Sequence, residues 1–140
     1  RGMNVRGIYV LTLLLVIGAI HFSAVAIGHY ASDNVWIDIP LHFLGGIFFS
    51  MLFLWSAGKA LSVRSMQERL VSAVAIVGAA LIGSVLWEVF EFALVTFLPS
   101  VAFGAKWYSL RVSDLLVDIA MGALGGLVSA ILSLRTFLKK

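Results

Sequence analysis

The chain has no cysteine among its 140 residues, and only 12% of them are charged. The first absence excludes disulfides, thiolate metal sites and cysteine nucleophiles. The second excludes an ordinary water-soluble domain, in which about a quarter of residues are charged. There are two prolines, Pro40 and Pro99, and both stand at the edges of long apolar runs. Hydrophobic residues make up 61% of the chain and the mean hydropathy is +1.06, values that belong to an integral membrane protein. The net charge of +3 has a simpler source in basic residues beside membrane spans than in nucleic acid, so no nucleic-acid partner is expected.

Residues 1–140 read as a single all-α transmembrane domain, a bundle of four helices. Arg1 and Gly2, ahead of Met3, look like the remnant of an expression tag and are left out of the topology. The expected spans are about 8–27, 41–57, 70–98 and 112–134, each long enough to cross a hydrocarbon core about 30 Å thick. The third is longer than a perpendicular crossing needs, which predicts tilt or a protruding end. Residues 29–40 read as a loop with Pro40 suited to a first helical turn, residues 59–69 as a short basic connection, and residues 100–111 as a loop with Phe103, Trp107 and Tyr108. Seven basic residues (Arg6, Lys59, Arg64, Arg69, Arg135, Lys139, Lys140) fall on one side and two (Lys106, Arg111) on the other. The positive-inside rule then places both termini in the cytoplasm.

Residues 86–92 (LWEVFEF) carry two acids inside an apolar run. A charged carboxylate at mid-membrane depth costs roughly 2.5 to 3.5 kcal/mol on insertion scales, so such residues mark a functional site with a partner to be found. Glu88 and Glu91, three apart, present one helical edge; Asp38 and His42, and likewise Asp114 and Asp118, are four apart and share a face in their own helices. All three pairs fall at similar height in the outer half of the expected bundle, where Gly45-Gly46, Ala79 with Gly83, and Gly122 with Gly126 would let helices approach closely.

Five carboxylates in one low-dielectric pocket repel one another by several kcal/mol per pair even at an effective dielectric of 20, so either protons or cations must be shared among them. Two divalent ions would offset most of the charge. Asp38, His42, Glu88, Asp114 and Asp118 are the candidate metal ligands, with Glu88 and Glu91 as candidate catalytic groups. A set of carboxylates with one imidazole suits Mg²⁺, Mn²⁺, Zn²⁺ or iron and does not choose among them. His21, near the outer end of the first span, is a further candidate; Lys106 and Arg111 are candidates for binding a substrate phosphate or for anchoring to headgroups. A protonated carboxyl network that merely fixes the bundle is the structural alternative.

The order of motifs, Asp38-x-x-x-His42, Glu88-x-x-Glu91, then Asp114-x-x-x-Asp118 followed by Gly122 and Gly125, resembles that of VanZ-like membrane proteins and a related uncharacterised bacterial inner-membrane family. The resemblance covers roughly residues 38–126. Ile39 stands where VanZ-like proteins usually have Lys, Gly122 where they often have Asn, and Glu91 where they have Gln. The resemblance implies a multi-pass protein of the bacterial cytoplasmic membrane with a polar intramembrane site.

Taken together, these readings predict a metal-dependent hydrolase or transferase acting on a lipid or lipid-linked, phosphate-containing substrate at the outer half of that membrane. Membrane lipids are the expected partners, and so short a chain leaves a homo-oligomer possible. The competing reading is a metal-ion or proton transporter or channel built on the same carboxylate and histidine site.

Overall fold

The computed structural model describes residues 3, 5–26, 37–97 and 112–138. Four helices account for nearly all of them: α1 (Gly7–Ala26), α2 (Asp38–Ala57), α3 (Met66–Phe97) and α4 (Val112–Leu138), with no strand among the described residues. All four are long and apolar enough to cross a membrane.

The helices begin earlier than apolar content alone suggests. Residues 38–40 form the first turn of α2 rather than the end of a loop, with the Leu41 N–H donating to Ile37 O and Pro40 seated where its missing N–H costs nothing. Asp38 there faces the positive end of the helix dipole. Likewise the basic connection ends at Ser65, and residues 66–69 are already helical. The cause is a capping box: the Glu68 N–H donates to Ser65 Oγ, while Glu68 Oε2 accepts from the backbone N–H groups of Ser65 and Arg64 and from the Ser62 hydroxyl. A turn of 3-10 helix (Gly58–Ala60) links α2 to this cap. At 32 residues, α3 extends about 48 Å, so it must tilt or run past a hydrocarbon core of about 30 Å.

The bundle is a three-helix core with a fourth helix on its flank. Helices α2, α3 and α4 pack on one another, whereas α1 packs on α2 alone. In the core, α2 and α4 run parallel, with α3 antiparallel to both and packed on both. The α2–α4 contact is backbone on backbone: a Cβ at Gly46 would strike the carbonyl of Gly122, and one at Gly125 would strike the carbonyl of Phe43. Gly126 lies against Ala80 of α3, and Gly83 lies under the ring of Phe49.

The two ends of the core differ. At one end Met3, Leu54, Ile76 and Ala130 are fully buried against one another, with Val5, Phe53, Leu134 and Phe137 around them. Burying each such side chain is worth about 1.5–3 kcal/mol against water, though only the packing part of that counts against lipid. At the other end the core is polar. The outer faces are covered with exposed apolar side chains such as Leu15, Phe22 and Ile82, the surface that a bilayer requires.

Candidate metal centre

Three helices meet at His42. Its position on α2, one turn after Asp38, is opposite the face of α3 that carries Glu88 and the face of α4 that carries Asp118. Because Gly46 and Gly122 allow α2 and α4 to touch, His42 sits in the middle of the core and is 6% exposed. Its Nε2 lies 3.5 Å from Asp38 Oδ1 and 3.8 Å from Asp118 Oδ1, and its Nδ1 lies 3.5 Å from Glu88 Oε1.

These separations exceed those of well-formed hydrogen bonds, about 2.7–3.2 Å. They match the spacing of donor atoms around a common ion: ligand bonds of about 2.0–2.2 Å place tetrahedrally related donors about 3.4 Å apart. Two triads satisfy such a grouping, Asp38–His42–Asp118 and His42–Glu88–Glu91, with the donor atoms in each within 4.8 Å of one another. A second observation points the same way. Glu88 is 6% exposed and its Oε1, aimed at His42, has no hydrogen-bond partner. A buried polar oxygen without a partner costs about 1–3 kcal/mol, and more when charged, a cost that a cation, a proton or a closer His42 Nδ1–H would remove. The donor set therefore fits a divalent ion.

The cluster has a front and a back. Asp38, His42 and Glu91 line a cavity of about 390 Å³ enclosed by α1, α2 and α3, whereas Glu88 and Asp118 do not line it. Each triad thus combines one carboxylate facing the cavity with one packed behind His42. The side of the cluster formed by Asp38, His42 and Glu91 is therefore open to the cavity.

The pairs of acids expected from the sequence behave differently from one another. Asp38/His42 and Glu88/Glu91 come together as whole pairs. Asp118 joins them, but its partner Asp114 does not belong to either triad: it is half-buried in the first turn of α4, where the helix dipole favours an acid, and Ser113 Oγ donates to its Oδ1 at 3.4 Å. His21 lines the same cavity from α1 without belonging to either triad. Lys106 and Arg111, together with Phe103, Trp107 and Tyr108, lie outside the described residues, as do Asp33 and His29.

Trp87, which the sequence suggests is lipid-facing or core rather than part of the site, borders it. Trp87 lines the cavity, and its Nε1–H donates to Glu91 Oε1 at 2.9 Å, fixing the carboxylate that faces the opening. The signal was present in the i, i+4 spacing of Trp87 and Glu91.

Among known proteins, the model of one family, described as "Predicted membrane protein (DUF2238)", matches residues 4–139 of the chain. No curated protein and no solved structure matches it.

Proposed function

We propose, from the premise that the chain belongs to the DUF2238 family of predicted membrane proteins, that it is a metal-dependent enzyme embedded in the bacterial cytoplasmic membrane and acting on a lipid or lipid-linked phosphate compound. The observation that carries this reading is the juxtaposition at His42: four carboxylates around one buried imidazole, one of their oxygens unpartnered, and two of the four facing an otherwise apolar cavity.

In this reading His42, with Asp38 and Asp118 or with Glu88 and Glu91, holds one divalent ion, which supplies Lewis-acid polarisation of a substrate oxygen. The rest is the work of the chain. Glu91, oriented by the Trp87 N–H, takes a proton from the attacking group on the cavity side. Glu88 and Asp118 fix the imbalance of charge behind His42, and the apolar walls keep bulk water away from the reacting centre. Lys106 and Arg111 are proposed to receive the substrate phosphate. The basic residues Arg6, Lys59, Arg64, Arg69 and Arg135 all belong to the end of the bundle remote from His42, which supports cytoplasmic termini and a site in the outer half of the membrane. The VanZ-like motif order is carried by these same residues and supports a common kind of site.

A transporter or channel is supported less well. The apolar seal of Met3, Leu54, Ile76 and Ala130 lies across the core on the far side from the cluster, where a path would have to continue.

The test is elemental analysis of protein purified in detergent without added metal or chelator, beside His42→Ala and Asp118→Asn. One equivalent of a divalent metal in the parent protein, lost in both variants, is the expected result. A blank in the parent protein, followed by no binding in titrations with Mg²⁺, Mn²⁺ and Zn²⁺, overturns the metal reading.

A further inference from the structure

The cavity in front of His42 is larger than an ion or a phosphate requires. Its volume, about 390 Å³, falls in the range of small-molecule sites, roughly 300–1,000 Å³. Its polarity is confined to one end. Asp38, His42, Glu91 and His21 lie there, and beyond them the walls are hydrocarbon: Leu14 and Ile17 from α1, Phe48 and Phe49 from α2, Phe90 and Leu94 from α3. Ser84, farther in, does not add a polar wall, since its hydroxyl is spent on the carbonyl of Ala80.

Three features identify the occupant. The first is length: along α2 the cavity runs from Asp38 to Phe49, about 16 Å of helix, which is about half of a 30 Å hydrocarbon core and so the depth of one leaflet. The second is access: α1 packs on α2 but not on α3, so no helix–helix contact closes the cavity between α1 and α3. The third is the pair of glycines on its walls. Gly18 on α1 and Gly45 on α2 both line it, and a Cβ at either would meet nothing within 4 Å, so the space in front of them belongs to neither helix.

We infer that this cleft seats one hydrocarbon chain of a membrane amphiphile, entering from the bilayer between α1 and α3, with its head group at Asp38, His42 and Glu91. The chemistry performed on the head rests on the function proposed above; the seat for the chain rests on the cleft alone. A tail held along one leaflet's depth brings the head to a fixed height against the cluster, so binding energy from the part of the molecule that does not react positions the part that does.

The full chain, reconstituted in nanodiscs of phosphatidylethanolamine and phosphatidylglycerol with a small fraction of a phospholipid carrying a diazirine in its acyl chain, is irradiated, and the adducts are mapped by peptide mass spectrometry. Adducts at Phe48 and Phe49 should exceed those at Ile82, which is 65% exposed on the outer face and reports ordinary lipid contact. Gly45→Leu fills the cleft and displaces roughly two methylene groups, so cleft labelling should fall about tenfold while labelling at Ile82 is unchanged. Gly78→Leu is the control: a Cβ there also meets nothing within 4 Å, but the residue does not line the cleft. Gly18→Leu, which fills the cleft from α1, replaces Gly45→Leu if that variant does not fold. Cleft labelling no greater than that at Ile82, or indifferent to filling, overturns the inference. Metal content measured on the same preparations keeps the two readings apart: a metal-free protein with a labelled cleft retains the chain seat and loses the metal centre, and a metal-loaded protein with an unlabelled cleft does the reverse.

Discussion

His42 has two ring nitrogens and four carboxylates within reach, and that mismatch governs the chemistry of the site. A neutral imidazole carries one lone pair for an ion and one N–H to donate. The two triads share His42, so in the proposed metal reading they would compete for it and the expected stoichiometry is one ion, where five acids read from the sequence suggested two. Were Nε2, beside Asp38 and Asp118, to hold the ion, Nδ1–H would be left to donate to Glu88 Oε1, as an outer carboxylate steers a metal-bound histidine. Without an ion, the imidazole offsets at most one of the four charges, and the others must take up protons or repel. Glu88→Gln should therefore have effects of opposite sign: metal affinity about 10–100-fold weaker, and metal-free protein more stable by about 1–2 kcal/mol through relief of like-charge repulsion. Metal titration and thermal unfolding in detergent check both. A carboxyl network that serves only to fix the bundle predicts a loss of stability instead. The pairing of acids along each helix was legible in the sequence because helical spacing is exact enough to align them. What distinguished Asp114 from Asp118 was not, because both positions suit an acid: the first for the helix dipole, the second for the core.

At the level of whole helices, the seam between α2 and α4 is the part of the bundle that cannot be altered. Gly46→Ala places a methyl group against the Gly122 carbonyl, which only a separation of the two backbones would accommodate. The expected cost is roughly 3 kcal/mol or more, together with loss of metal, since His42 stands one turn away. Gly78→Ala, with open space at its Cβ, should instead gain about 0.5–1 kcal/mol from helix propensity; thermal unfolding of the two variants side by side gives the comparison. The sequence offered Gly45-Gly46, Gly83, Gly122 and Gly126 as sites of close approach, but not which glycine meets which surface. Gly45 turns out to border the cleft rather than a helix. The flank position of α1 was equally hidden, because a helix apolar on every side shows no preferred face in its sequence. The Ser65–Glu68 cap could have been read, and its Ser-x-x-Glu spacing explains why α3 begins inside a stretch that charge alone marked as a connection.

The molecule as a whole has an end with a polar core and a sealed, basic-flanked end, and the absence of cysteine makes their orientation easy to test. Ser113→Cys, at the start of α4, should react with a membrane-impermeant maleimide on intact spheroplasts. Lys59→Cys, in the turn after α2, should react only once the membrane is permeabilised. The opposite pattern would invert the proposed topology and move the site to the cytoplasmic half. The sealed end also sets a schedule. Met3 precedes α1 in the chain, yet its place is formed by Leu54 of α2, Ile76 of α3 and Ala130 of α4. Because synthesis runs from N- to C-terminus, Met3 can be fully buried there only once α4 has been made. The packing at Met3 thus ties the segment ahead of α1 to α4, and a nascent chain arrested before α4 would lack the part of that seat supplied by Ala130.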